Sequence, residues 1–192
     1  LVLAGFTAYV AVSGTTMNIY PLPELIALRA TWRASGLKVV FTNGVFDLLH
    51  VGHVRYLTAA RALGDRLIVA INSDESTRQL KGSLRPIVPE AERATIVAAL
   101  RCVDAVTIFN ERTAEAVVAA LAPDLYVKGG DYGQGTTFDA ARLPEARVVQ
   151  ALGGEVQILP FSEGHATTRL IERIVARYGG EGGNADGRGF GG

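Results

Sequence analysis

The sequence predicts an α/β domain: a doubly wound, Rossmann-like sheet of five parallel strands with helices on both faces. Short apolar runs rich in β-branched residues alternate along the chain with longer segments whose apolar residues recur every three to four positions. Strands that have no polar face are typical of a parallel sheet buried on both sides. The 192 residues, 48% of them hydrophobic, are enough to bury the core of one such domain.

The elements follow in a regular order. Pro21 and Pro23 precede a lead-in helix predicted at 20–36, and Gly36 ends it. Runs of β-branched and aliphatic residues then predict strands at 38–42, 66–71, 105–109, 125–128 and 156–159. Helical spacing of apolar residues predicts helices at 52–63, 74–80, 90–100 and 113–121, and a further helix that Pro144 opens and Gly153 closes.

The two ends of the chain differ in composition from the domain at 17–178. Residues 1–16 are apolar and uncharged, and because Met17 is the only methionine we expect the natural start there; a real extra strand is the alternative. The last helix is predicted at 167–178. The apolar residues on its predicted buried face are Leu170, Ile171, Ile174 and Val175. Residues 179–192 include eight glycines, which predicts a disordered tail.

The composition excludes several classes of function. Nineteen basic and 19 acidic residues balance, so the electrostatic footprint of a nucleic-acid binder is missing. The apolar leader is short and diluted by hydroxyl residues, which argues against a membrane span. Cys102 is the only cysteine, so no disulfide framework forms and a reduced, cytoplasmic setting is expected. The sequence leaves the oligomeric state open, a homo-oligomer included.

The most informative stretch is 41–53, Phe-Thr-Asn-Gly-Val-Phe-Asp-Leu-Leu-His-Val-Gly-His, which follows the first strand and opens the next helix. In this fold, ligands bind beyond the carboxyl end of that strand. No Ser, Thr, Asp or Asn stands directly before the helix, so its amides are left for an anion that the helix dipole also favours. His50 and His53 can then donate hydrogen bonds to the phosphate oxygens of a nucleoside triphosphate.

Two other interpretations compete for the histidines. They could be ordinary polar loop residues, although two of the chain's three histidines meet at the predicted phosphate site. They could also share a zinc ion, but no third ligand stands beside them, so no metal site is predicted.

The stretch resembles the cytidylyltransferase-like nucleotidyltransferases, which carry His-x-Gly-His after the first strand. Further segments resemble one branch, the D-glycero-β-D-manno-heptose 1-phosphate adenylyltransferases, between about Lys38 and Ile174. The segment Lys-Gly-Gly-Asp-Tyr at 128–132 points most directly to this branch. Other matching segments are Thr-Asn-Gly-Val-Phe-Asp at 42–47, Leu-Gly-Asp-Arg-Leu-Ile-Val-Ala at 63–70, Asn-Ser-Asp at 72–74, Leu-Lys-Gly at 80–82, Arg-Pro at 85–86 and Gly-Gly-Glu-Val at 153–156.

The resemblance implies roles for particular residues. Three residues resemble the family's catalytic groups. His50 and His53 resemble the two histidines that donate hydrogen bonds to the transition state, and Lys81 resembles the lysine that reaches the triphosphate. Nucleotide-binding residues implied in the same way are Thr42, Asn43, Gly44, Phe46, Gly52, Lys128, Gly129, Asp131, Thr167 and Thr168. Substrate-binding residues implied are Asp47, Asp74, Arg85 and Arg93; the alternatives are a loop-shaping role for Asp47, a surface ion pair for Asp74 and Arg85, and a solvent-facing side chain for Arg93.

The last helix departs from the family pattern. Ala166 replaces the usual serine, and Ile171 stands where the wider superfamily has an arginine. A capping role for Thr167 or Thr168 is therefore as open as a role in binding the triphosphate.

The resemblance implies transfer of AMP from ATP to the heptose 1-phosphate, with Mg²⁺ on the triphosphate. It also implies a separate sugar kinase as the partner that makes the acceptor. The alternatives are a cytidylyltransferase for glycerol 3-phosphate or ethanolamine phosphate, an FMN adenylyltransferase, and a nucleotide sensor that binds ATP without turnover.

Overall fold

A computed structural model describes residues 17–130, 133–134, 137–138, 143–160 and 167–179. The predicted leader at 1–16 and nearly all of the predicted tail lie outside these residues. Backbone alone is described for 133–134 and 137–138.

The described elements agree closely with the predicted ones. The helices are α1 (Leu22–Ala34), α2 (Val51–Arg61), α3 (Asp74–Lys81), α4 (Glu90–Ala98), α5 (Glu115–Leu121), α6 (Pro144–Ala151) and α7 (Thr167–Tyr178). The strands are β1 (Val39–Gly44), β2 (Arg66–Asn72), β3 (Ala105–Phe109), β4 (Leu125–Gly129), β5 (Gly133–Gln134), β6 (Thr137–Phe138) and β7 (Glu155–Leu159). The short antiparallel hairpin of β5 and β6 was not predicted, because its sequence is a glycine-containing loop with no alternating pattern.

Five strands form one parallel sheet, as predicted, and their order is β3-β2-β1-β4-β7. Two apolar clusters cover its two faces. Residues from α1, α5 and α6 pack on one face around Phe41 and Tyr126. Residues from α2 and α4 pack on the other face around Val40 and Val127. Alternate residues of one strand therefore enter different layers, which confirms the doubly wound arrangement.

The predicted buried face of α7 is wrong. Leu170 and Ile171 are only partly buried, Ile174 is 47% exposed and Val175 is 60% exposed. Helical spacing of apolar residues shows that a helix has an apolar face, but it does not show which element covers that face. Of the α7 residues, none is fully buried against the described part of the chain.

None of the helices in the described ranges has the length and apolar character that crossing a bilayer requires.

Candidate active site

Strands β1 and β4 are neighbours and end side by side at the carboxyl edge of the sheet. The chain continues from β1 to β2 and β3 on one side of β1, whereas β4 and β7 lie on its other side. The direction of winding therefore reverses between β1 and β4. In doubly wound sheets, ligands bind in the crevice at this switch point. Asn43 and Gly44 end β1, and Lys128 and Gly129 end β4, so four of the predicted nucleotide-binding residues line this edge.

His50 and His53 meet at the start of α2, as the sequence predicts. Their rings stack with centroids 3.9 Å apart and an interplanar angle of 25°. The backbone nitrogen of His50 donates a hydrogen bond to Nδ1 of His53 over 3.4 Å. Because Nδ1 accepts, the proton of a neutral His53 ring lies on Nε2.

The end of α2 is less open than the sequence predicts. His50 is the residue before the first helical turn, and the two histidines take the positions of a capping box. Histidine is not among the usual capping residues Ser, Thr, Asp and Asn, so the sequence predicts amides left entirely to a ligand. The imidazoles instead close part of the helix end themselves, and a ligand would approach past them.

The partly buried position of His53 lowers its affinity for a proton. Burial, and then the charge of His50, lower the pKa of His53 from 6.5 to about 4. Near pH 7 the ring is therefore neutral, and its Nε2–H is a hydrogen-bond donor that carries no full charge.

The loop between β1 and α2 carries backbone strain. Phe46 has a φ of 50° and is 7% exposed. Its ring centroid lies 5.4 Å from that of His53. A Cβ on Gly44 would stand 3.0 Å from a carbon of the Phe46 ring, so glycine here makes room for this ring. Both residues were predicted to bind the nucleotide, and that role stays a prediction; in the structure the Phe46 ring lies beside His53, and Gly44 leaves space for that ring.

Asn43 is the centre of a buried polar cluster. Its Oδ1 accepts hydrogen bonds from the Tyr126 hydroxyl at 2.8 Å and from Lys128 Nζ at 3.0 Å. Lys128 Nζ also donates to the backbone oxygen of Asn43 at 3.1 Å. On the other side, Nδ2 of Asn43 lies 3.5 Å from Oε1 of Glu145. The predicted pair Asn43 and Lys128 therefore forms one unit with two residues that sequence reasoning missed, Tyr126 and Glu145.

Thr42 and Gly129 face a third missed residue, Tyr56 of α2. The Thr42 hydroxyl and the Tyr56 hydroxyl are 2.7 Å apart, and Tyr56 donates to the backbone oxygen of Val127 at 3.0 Å. A Cβ on Gly129 would lie 3.1 Å from the Tyr56 ring. Burial raises the pKa of this hydroxyl well above its ordinary value. These contacts join α2 to β1 and β4, so in the structure Thr42 and Gly129 hold the histidine-bearing helix on the sheet.

Asp47 shapes the loop that follows α3. Its Oδ2 accepts from Arg85 Nε at 2.5 Å, and its Oδ1 accepts from the backbone nitrogens of Ile87 and Val88 at 2.8 and 2.9 Å. The Asp47 side chain is 1% exposed and that of Arg85 is 19% exposed. Both carboxylate oxygens therefore have protein partners, which favours the loop-shaping interpretation of Asp47 over the predicted contact with substrate.

Arg93 is enclosed by protein and does not face solvent. It is 1% exposed, and its guanidinium donates to the backbone oxygens of Val88 and Val45 at 2.8 and 2.5 Å and to Asp74 Oδ1 at 2.7 Å. The exposed alternative is wrong, and the predicted role as a substrate ligand does not fit a guanidinium enclosed by protein. Together with the Asp47 contacts, Arg93 ties the loop after β1 to the loop after α3.

Lys81 is the exposed last residue of α3. Its positive charge contributes to lowering the pKa of Lys128, so the two ammonium groups lie within electrostatic reach of each other. Lys81 ends the helix that follows β2, and its predicted contact with a triphosphate stays a prediction.

For the remaining predicted residues, the structure gives at most a position in an element. Gly52 lies in the first turn of α2, and Thr167 and Thr168 begin α7. Asp131 lies outside the described residues. Within the described ranges, no three His, Cys, Asp or Glu side chains are grouped so that they could hold a metal ion.

Comparisons with known proteins address the family directly. Residues 41–173 match the sequence profile of the cytidylyltransferase-like proteins. The chain belongs to this family. Its membership confirms the prediction of a nucleotidyltransferase that uses a nucleoside triphosphate.

Individual relatives cover most of this chain. It is 53% identical over 150 residues to the bifunctional protein HldE of Koribacter versatilis, covering 78% of this chain and 30% of that protein. It is 51% identical over 143 residues to the bifunctional protein HldE of Citrifermentans bemidjiense, covering 74% of this chain and 28% of that protein. The chain thus spans under a third of the length of these two curated relatives. Among solved structures, the lipopolysaccharide core biosynthesis protein from Thermoplasma volcanium is similar with a TM-score of 0.53 and 34% identity, over 68% of this chain and 100% of that one.

Proposed function

We propose that this chain transfers AMP from ATP to D-glycero-β-D-manno-heptose 1-phosphate and releases pyrophosphate. The observation that carries the proposal is the stacked pair of His50 and His53 at the start of α2, beside the switch point of the sheet. Two imidazoles at the positive end of a helix suit a reaction in which negative charge spreads over phosphate oxygens.

In the proposed reaction, a phosphate oxygen of the sugar phosphate attacks the α-phosphorus of ATP. A new bond forms between that oxygen and phosphorus, and the bond from phosphorus to the oxygen bridging to the β-phosphate breaks. Pyrophosphate leaves with the bonding electrons, so no covalent enzyme intermediate is needed. Nε2–H of His53, fixed by the bond to Nδ1, donates to an oxygen of the five-coordinate phosphorus. A donor of this kind lowers the barrier by about 3 kcal/mol.

Two lysines supply the positive charge that a triphosphate requires. Lys128 is held at the end of β4 by Asn43, and Lys81 is exposed nearby on α3. Mg²⁺, when bound, neutralises phosphate charge. We propose that the ion would enter with the triphosphate, as is common for Mg²⁺ bound through substrate phosphates.

The acceptor is the finer part of the proposal. It is supported by the resemblance of residues 128–132 to the heptose branch, by about 50% identity to proteins named HldE, and by similarity to a protein described as acting in lipopolysaccharide core biosynthesis. A sugar kinase must supply the phosphorylated acceptor, and we propose such a kinase as the partner in the pathway.

The proposal is tested by measuring pyrophosphate release from the purified protein. ATP or CTP is combined with heptose 1-phosphate, glycerol 3-phosphate, ethanolamine phosphate or FMN, in the presence and absence of Mg²⁺. We expect release only with ATP, heptose 1-phosphate and Mg²⁺. Release that requires CTP, or a different acceptor, would replace the proposed substrates with those of a related transferase. ATP binding without release in every combination would show a nucleotide sensor.

A further inference from the structure

One buried carboxylate in the polar cluster around Asn43, that of Glu145, has no role in the proposed transfer of AMP. Glu145 lies in the first turn of α6 and is 5% exposed. We propose that Glu145 is a positioning residue of the active site: from α6 it fixes the Asn43 carboxamide and supplies the negative charge that balances the Lys128 ammonium at the switch point. The inference rests on the proposed function, because it assumes that Lys128 serves an anionic substrate.

Glu145 is held in place by a bond that does not involve the site. The backbone nitrogen of Ala114, directly before α5, donates to Oε1 of Glu145 over 3.0 Å. The carboxylate is thus fixed between the starts of α5 and α6. An ionised carboxylate in such a buried position is costly unless a cation compensates it. Lys128 is a cation that contacts the same Asn43 side chain as Glu145, and the charge of Glu145 raises the pKa of Lys128.

The hydrogen bonds orient Asn43 in one direction. Its Oδ1 receives the hydroxyl of Tyr126 and the ammonium of Lys128, while its Nδ2 points toward Oε1 of Glu145. The distance of 3.5 Å from Asn43 Nδ2 to Glu145 Oε1 is long for a hydrogen bond. The negative charge of the carboxylate therefore contributes more to the orientation of the amide than the hydrogen bond does. With the amide oriented in this way, two hydrogens of the Lys128 ammonium are directed at Asn43. Among the groups that the structure describes, none accepts the third hydrogen, so it remains available to an anionic ligand.

Burial and the charges near Lys128 have opposite effects on its pKa. Burial is the largest effect and lowers the pKa of Lys128, and the charge of Lys81 on α3 lowers it further. Glu145 on α6 raises it. Tyr126 on β4 also faces Lys128 through their shared acceptor, Asn43. Removing the charge of Glu145 therefore leaves two influences that favour the neutral amine, which attracts a phosphate far less.

The direct test is the titration of the Lys128 side chain by NMR in protein labelled with ¹⁵N-lysine. A Lys128→Arg variant identifies the resonance by its loss. Glu145→Gln keeps an oxygen that can accept from Ala114 and removes the negative charge with little change in side-chain size. We expect Lys128 to titrate about one pH unit lower in E145Q than in the wild-type protein. An unchanged titration would overturn the inference.

Two further variants separate charge from structure. Glu155→Gln removes an exposed carboxylate of β7 that pairs with Lys38 at 3.5 Å, and it should leave the Lys128 titration unchanged. Glu145→Asp keeps the charge, so Lys128 should titrate closer to the wild-type value than in E145Q, and this variant decides the question if E145Q does not fold. Equal shifts in E145D and E145Q would show that packing, not charge, is responsible.

The activity readout is the pH profile of kcat/KM for pyrophosphate release. E145Q should lose activity at alkaline pH with a midpoint about one pH unit below that of the wild-type protein, whereas a purely structural defect would lower the whole profile without moving it. If the wild-type protein releases no pyrophosphate with any acceptor, the proposed function fails. The NMR titration then still decides whether Glu145 keeps Lys128 charged.

Discussion

Protonation of His53 should make the folded protein sensitive to mild acid. The folded ring has a pKa of about 4, whereas an exposed histidine titrates at 6.5. The unfolded chain therefore binds a proton at this position between those two pH values and the folded chain does not. The free energy of unfolding is unaffected by His53 above pH 6.5 and decreases as the pH falls from 6.5 toward 4.

The size of the effect follows from the same two values. The difference between 6.5 and about 4 corresponds to about 3 kcal/mol when the titration is complete. Because the ring is partly exposed, solvent screening reduces this to about 2 kcal/mol. His53→Asn is the matched variant, because Asn does not titrate and its side-chain oxygen can still accept from the His50 backbone nitrogen.

The assay is urea unfolding of both proteins at pH 7.5 and pH 4.5. Between these conditions, the wild-type protein should lose about 2 kcal/mol more free energy of unfolding than His53→Asn does. Titratable groups that do not touch His53 contribute equally to both proteins and cancel in the comparison, whereas His50 is coupled to His53 and its share is part of the measured difference. Equal losses in the two proteins would refute the reasoning, because they would mean that the folded ring accepts a proton as readily as an exposed one.

Three further outcomes are expected. His53→Ala should lower kcat at least about 100-fold in the pyrophosphate assay and change the Kd for ATP much less, because the ring acts mainly in the transition state; equal losses in both would assign the ring to binding or folding. Gly44→Ala should cost about 1–3 kcal/mol in urea unfolding and also reduce kcat, because the new Cβ pushes the Phe46 ring against His53; full activity in this variant would show that the ring does not position the histidine. Arg93→Met should destabilise the fold by about 3–5 kcal/mol, because it removes a buried guanidinium and the hydrogen bonds that it donates to Val88, Val45 and Asp74; a stable protein with weakened substrate binding would instead restore Arg93 as a ligand.

Local patterns in the sequence were sufficient for the sheet and for the histidines. β3 at Ala105–Phe109 was predicted residue for residue, because a run of β-branched residues between two polar turns has one plausible conformation. His50 and His53 were placed correctly since the end of a strand and the start of a helix are both visible in sequence. The burial of α7 was predicted wrongly, because it depends on what packs against the helix.

The polar interior could not be predicted in the same way. Arg93 and Asp47 look like surface or ligand residues, and only the fold shows that their partners are backbone groups of distant loops. Glu145 had one weak indication, an acidic residue directly after Pro144 at a helix start, which ordinarily interacts with the helix's own amides. Its actual partners, Ala114 and Asn43, are 31 and 102 residues away along the chain.

That separation has a consequence for how the protein acquires activity during synthesis and refolding. The histidines are made early, but the wall opposite them requires β4 and α6, whose contacts with β1 close loops of 85 and 102 residues. Such loops form late, because chain entropy must be lost before any contact compensates for it. A nascent or truncated chain that ends before α6 would carry the whole His-x-Gly-His segment and still have no complete crevice. Recovery of turnover after dilution from denaturant should therefore follow, and never precede, the protection of the β1–β4 pair from hydrogen exchange.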